Sequence, residues 1–194
     1  MLALIADLEG SADVQDRSAY VALSATVLRA EGRFEEALTA SEEALAASEL
    51  LGAGVSADTR ISLSEGLESA LALGRLDTVE ELLRRIDAIP PGKRPPFLWA
   101  QAGRFRAQLA AARGKHDGVE QGFKTAAGIF REHRLTFYLA VTQLEHGEWL
   151  TGQGRAEEAE PLIGEAREIF ERLEATPWLE RARAASPAAD RVTA

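Results

Sequence analysis

Chemistry in this chain would have to come from its three histidines, its paired acids or its glycine-rich turns. His146 lies in "LEHGEW", with Glu145 and Glu148 beside it. Imidazole and carboxylate together can ligate a metal or move a proton. Glu145 and His146 are adjacent, however, so on a helix they point different ways. No second histidine stands at the i, i+4 position of a helical metal pair. His116 falls in a turn, and His133 closes a helix beside Arg131 and Arg134. No metal site is expected.

Other signatures fail on spacing. "GAGVS", residues 52–56, lacks the third glycine and the preceding strand of a dinucleotide fingerprint. "RGKHDG" and "PGKRP" lack the spacing and the hydroxyl of a phosphate loop. No serine sits in a nucleophile elbow, and the chain has no cysteine to serve as nucleophile or zinc ligand. Paired acids such as Glu35-Glu36, Glu80-Glu81 and Glu157-Glu158 fall at helix starts, where they complement the helix dipole. The expectation is a chain without catalytic residues, without cofactor and without enzymatic activity.

The elements that would position these residues are read from turns. Glycines 32, 74, 114 and 154 are separated by 42, 40 and 40 residues. Each is followed by Arg or Lys and, within four residues, by an acid. Glycine takes the left-handed conformation that closes a helix, and the acid favours the start of the next one. The flanks carry apolar residues at spacings of three and four, as in Tyr20, Leu23, Val27 and Leu28, and no β-branched alternation. First helices are expected near 17–31, 59–73, 97–113 and 135–153. Second helices are expected near 34–51, 76–88, 116–133 and 156–174. Prolines 90, 91, 95 and 96 make Ala88 to Phe97 the strongest break.

The same face is written twice at an offset of 40. Ile129-Phe130 recurs as Ile169-Phe170, Thr136 as Thr176 and Leu139 as Leu179, and aromatic Tyr138 is matched by Trp178. A two-helix unit cannot bury its apolar faces alone, so each unit reuses one face to cover its neighbour. Trp178 should pack on Phe170. Trp99, beside Phe97, reads as core, with a place on the groove wall as the alternative.

Composition limits the partners. The 194 residues carry a formal net charge of −9, with 46% hydrophobic and 27% charged residues. That balance weighs against a broad grip on nucleic-acid phosphates or an anionic membrane. No uncharged apolar run reaches the ~18 residues of a membrane span. The start meets Asp7 and Glu9 with no basic region before its apolar residues, unlike a secretory signal. A cytoplasmic protein is expected, with neither direct nucleic-acid nor membrane contact.

The turns and their surroundings resemble the tetratricopeptide repeat. That family places small residues seven before and five after the turn glycine. Here these are Ala25, Leu67, Ala107 and Gly147 before, and Ala37, Val79, Val119 and Ala159 after. Twelve after come Ala44, Ile86, Ala126 and Ala166. Leu67 and Ile86 depart from the pattern and imply wider packing in the second repeat. The ~40-residue period exceeds the usual 34 and is similar to a long-helix variant. That variant forms C-terminal arms of bacterial signalling ATPases, LuxR-type regulators and cyclase-linked proteins.

The resemblance implies an all-α solenoid of four helix-turn-helix repeats with partial terminal caps. The repeats would lie near 17–54, 59–90, 97–134 and 135–175, with a cap helix at 177–185. One domain would cover 1–186, followed by a loose tail at 187–194. The family's groove positions fall on Thr26, Arg29, Ser64, Glu68, Gln101, Arg104, Gln108, Glu148 and Thr151. The implied function is a non-enzymatic scaffold that binds a protein or peptide, as a whole protein or as the arm of a larger regulator. The alternative is a small-molecule inducer sensor with an aromatic pocket near Trp99, Tyr138 and Trp149. Leu2, Leu4, Ile5 and Leu8 would make the N-terminal end the stickier one and a possible homodimer surface.

Overall fold

The computed structural model describes residues 13–50, 52 and 54–186. Among them are nine α-helices: α1 (Val14–Ala30), α2 (Phe34–Leu50), α3 (Ala57–Ala72), α4 (Leu76–Ala88), α5 (Pro96–Ala112), α6 (Val119–Glu132), α7 (Thr136–Gly152), α8 (Ala156–Arg172) and α9 (Thr176–Ala185). The described residues form no strand. Within each unit consecutive helices pack against each other, an all-α arrangement consistent with an α-solenoid of helical repeats. The expected N-terminal surface of Leu2, Leu4, Ile5 and Leu8, and the tail at 187–194, lie outside the described residues.

Local chemistry sets the boundaries. Asp13 caps α1 by accepting from Gln15 N at 2.7 Å, and Ser56 caps α3 by accepting from Thr59 N at 3.1 Å. Gly32, Gly74, Gly114 and Gly154 all have positive φ. The residue after each donates its N–H back into the last turn, as in Arg33 N to Leu28 O (2.9 Å) and Arg155 N to Leu150 O (2.9 Å). The helix ends agree with the sequence reading to within two residues except at the starts of α1, which begins three residues early at Val14, and of α6. There Gly118 takes a left-handed φ of 80°, so the helix begins at Val119 instead of near residue 116.

The chain divides into two compact units, one ending at Arg94 and the other beginning at Pro95. The division falls inside the proline-rich stretch. In the first unit, α1 with α2 and α3 with α4 form the hairpins. Leu67 and Ile86 are both fully buried between α3 and α4.

In the second unit, α5 with α6 and α7 with α8 form the hairpins, and α9 covers α8. The repeated face is one aromatic stack made twice. Phe130 and Tyr138 stack with centroids 5.7 Å apart and planes at 27°. Phe170 and Trp178 stack at 5.8 Å and 25°. Trp99 corrects the sequence reading: it is 58% exposed. On α5 it shares the outer stripe with Arg106, seven residues on, while Leu98, Gln101 and Phe105 turn inward.

Candidate functional site

The groove positions read from the sequence sit on first helices, and their side chains are largely engaged within the fold. In the first unit, Arg29 of α1 pairs with Glu65 of α3, and both are partly buried. Ser64 donates to Arg60 O at 2.9 Å. Thr26 and Glu68 are half-buried on α1 and α3.

In the second unit, three of the expected residues come together. Arg104 on α5 is 0% exposed. Its guanidinium forks onto Glu145 of α7, with Nε donating to Oε2 at 2.6 Å and Nη2 donating to Oε1. Gln101 Oε1 accepts from Arg104 Nη1 at 3.2 Å, and Gln108 Nε2 donates to Glu145 Oε2 at 2.8 Å. Two-point geometry with added hydrogen bonds is what a charge pair needs to survive burial. Glu148 receives a second fork from Arg181 of α9, at 2.8 and 2.6 Å. Thr151 donates to Gly147 O at 2.9 Å. On the first-helix wall of this unit Arg104, Gln108 and Glu148 thus join helices, while Gln101 and Thr151 bond within their own. Glu145, which the repeat pattern left out of the wall, is the residue that collects Arg104 and Gln108.

Each unit also carries a cleft between its second helices, with the first helix of the later repeat as its floor. In the second unit, the cleft between α6 and α8 has a volume of about 320 Å³. Ala127, Leu150 and Leu162 line it, and ion pairs cross its rim. Arg155 donates to Glu120 at 2.7 Å and to Glu158 at 2.6 and 2.7 Å, and Lys124 donates to Glu120 at 2.6 Å. Hydrogen bonds from Arg155 and Lys124 hold the Glu120 carboxyl down at about 2. At the other end Arg131 pairs with Glu165 at 3.0 Å, and Gln143 Nε2 donates to the same carboxylate.

Beneath this cleft lies His146, 5% exposed and stacked on Phe123 at 5.4 Å and 17°. Burial pushes its pKa below the ordinary imidazole value. Among the described residues its Nε2, the Trp149 Nε1 and the Gln143 Oε1 are buried without a hydrogen-bond partner. Trp149 lies 6.2 Å from the His146 ring and 6.4 Å from the His116 ring. Trp99, Tyr138 and Trp149 do not form the aromatic pocket expected of an inducer sensor. Trp99 faces outward, Tyr138 meets Phe97 edge-on and stacks on Phe130, and Trp149 belongs to the histidine cluster.

In the first unit, the cleft between α2 and α4 is larger, about 780 Å³. Leu45, Leu63, Val55 and Ile89 supply apolar walls. Ser48 and Thr59 share a hydroxyl hydrogen bond of 2.7 Å on the lining. Glu49, Arg85 and Lys93 stand at the rim.

The sequence reading missed both clefts, although a signal was present. Glu49 and Arg131 each fall seventeen residues after a turn glycine, and Arg85 and Glu165 each fall eleven after the next one. The two pairs occupy equivalent positions with the charges exchanged. Among the described residues no group of three His, Cys, Asp or Glu side chains is placed to hold a metal, and no helix is long and apolar enough to cross a membrane. No protein-family model and no curated protein matches the chain.

Proposed function

We propose that this chain is a binding module built on long tetratricopeptide-like repeats, taking a peptide or protein segment and performing no chemistry of its own. The observation that carries the reading is the cleft between α2 and α4, an apolar trough of about 780 Å³ with charged groups confined to its rim. Trough and rim of this kind suit side chains presented by a segment. The 40–42-residue spacing of the turn glycines supports the family assignment. So do the small residues at the helix crossings, with Ala25, Ala37, Ala107 and Ala159 all buried. A cytoplasmic regulatory or signalling arm in a bacterium is the setting that the resemblance suggests.

Panning a random-peptide display library on the full chain tests this. Recovery of sequences that share a motif and compete for one site at micromolar concentration is expected. Enrichment of only unrelated, non-competing sequences would remove the reading. Saturable binding of small carboxylates without any peptide would favour the sensor alternative.

A further inference from the structure

We infer that the cleft between α2 and α4 selects an acidic amphipathic segment, with apolar side chains in the trough and a carboxylate side chain at the rim. The inference rests on the peptide-binding reading and names its ligand chemistry. The trough is aliphatic: Leu45 and Leu63 are nearly fully buried at its base, and Val55 and Ile89 are half-buried on its walls. Aliphatic groups entering it lose contact with water, which favours binding by ~25 cal/mol per Å² of apolar surface covered.

The rim supplies the sign. Two cations, Arg85 and Lys93, face one acid, Glu49. Arg85 is loosely held, with Nη1 at 3.4 Å from Glu49 and Nε at 3.8 Å from Glu81. Lys93 ends the short 3-10 turn Pro91–Lys93 and makes no ion pair among the described residues. The cleft of the second unit has no counterpart of Lys93 on its lining, where Lys124 pairs with Glu120 and Arg131 with Glu165.

The local sign also opposes the global one. The whole chain carries −9, so its long-range field favours a cationic ligand. A carboxylate at this rim instead meets two cations at contact distance. Salt screens the long-range field over about 8–10 Å, whereas contact pairs are less affected. The two effects therefore predict opposite ligand charge, and experiment can separate them.

The probes are three pools of fluorescein-labelled, end-blocked peptides. Each has four randomised aliphatic positions followed by two aspartates, two asparagines or two lysines. Anisotropy titrations use the full chain. The aspartate pool should bind about tenfold tighter than the asparagine pool, the sum of two modest rim pairs. Arg85→Gln with Lys93→Gln should bring that ratio close to one. Ala88 lines the cleft and is exposed. Ala88→Trp should therefore fill the cleft and abolish binding of the aspartate pool while helical content is retained. A preference for the lysine pool, equal binding of all pools, or binding indifferent to Ala88→Trp would overturn the inference and leave the peptide reading standing. No binding by any pool, together with failure of library panning, would remove both.

Discussion

The two units meet the same architectural demand with different side chains. Of the twelve aromatic residues, only Tyr20 and Phe34 precede Pro95. The first unit fills its interior with alanine, aliphatic residues and buried serines, among them Ser41, Ser62 and Ser69. Ser41 returns its hydroxyl to Ala37 O at 2.8 Å. With small side chains between them, α1 and α3 approach closely. In the second unit, the backbones of α5 and α7 stand farther apart. Long groups span the gap: the Arg104–Glu145 fork, and Phe97 edge-on to Tyr138 at 4.9 Å. One unit is joined by proximity and the other by reach. Joining by reach places a charge pair inside the protein, and removing either partner then leaves the other charge buried alone.

The largest expected effect follows. Arg104→Ala should destabilise the second unit by about 3–5 kcal/mol, because the Glu145 carboxyl would stay buried without its partner. Arg29→Ala in the first unit removes an ion pair with partial solvent access and should cost about 1 kcal/mol or less. All three tryptophans lie beyond Pro95. Tryptophan fluorescence in a denaturant titration therefore reports the second unit, and far-ultraviolet circular dichroism reports both. Arg104→Met combined with Glu145→Leu should recover most of the loss, since apolar replacement of a whole buried pair is often neutral. Equal costs for Arg29→Ala and Arg104→Ala would break the comparison.

How much of this was legible in the sequence depends on distance along the chain. A turn needs only a few neighbouring residues, so the eight hairpin helices could be placed from four glycine turns and α9 from one capping segment. Gly118 shows the limit: its left-handed backbone delays α6, and the Asp-Gly pair in "HDGVE", a turn signal, fell inside the expected helix. The wall residues were chosen correctly by type but not by destination. Arg104 meets Glu145 across 41 residues, and only the separation of α5 from α7 decides that they reach each other. Trp99 was misplaced because the inward stripe of α5 already holds Leu98, Gln101 and Phe105. Both clefts depend on the spacing of second helices, which periodicity alone does not give.

Crossings inside the hairpins sharpen the contrast at a second level. A Cβ added at Gly147 would lie 2.5 Å from Ile163 Cγ1 and 3.4 Å from Ala159 O. One added at Gly66 would lie 3.2 Å from Leu82 Cδ1 and 3.3 Å from Ser41 Cβ. Gly147→Ala should destabilise by about 1–3 kcal/mol through overpacking, outweighing the better helix propensity of alanine. Gly66→Ala meets the movable end of a leucine, so its propensity gain of up to ~1 kcal/mol should nearly balance the crowding. Midpoints from the same titrations rank the two.

Acid should separate the units further. All three histidines belong to the second unit. Burial lowers the pKa of His146 in the fold, so below about pH 6.5 the unfolded chain binds a proton that the folded one resists. Stability is then full above that pH and is lost as pH falls toward the depressed folded value. Glu120, Lys124, Arg155 and Glu158 act on this imidazole with mixed signs and smaller effect than burial. The tryptophan-reported midpoint should fall between pH 7 and 5. His146→Phe should flatten that decline while preserving the stack on Phe123. A decline unchanged by His146→Phe would assign the acid sensitivity elsewhere.

The smallest effect concerns turns that lack glycine. Every residue of positive φ described in the first unit is a glycine, whereas the second unit also uses Arg134 (φ 57°) and Glu174 (φ 53°). Both close second helices: Leu135 N donates to Phe130 O at 2.8 Å, and Ala175 N donates to Phe170 O at 3.0 Å. A side chain in this region is strained by about 1–2 kcal/mol, part of which glycine returns through the greater freedom of its unfolded chain. Both side chains are exposed, so little packing is lost on removing them. The two sites should still differ. Glu174 places an anion at the negative end of α8, while Arg134 places a cation at the negative end of α6. Glu174→Gly should therefore stabilise by up to about 1 kcal/mol, and Arg134→Gly by a few tenths at most. High salt should narrow that difference by screening the dipole interaction and leave the backbone contribution in place. Equal gains at low salt would show that backbone strain alone sets both values.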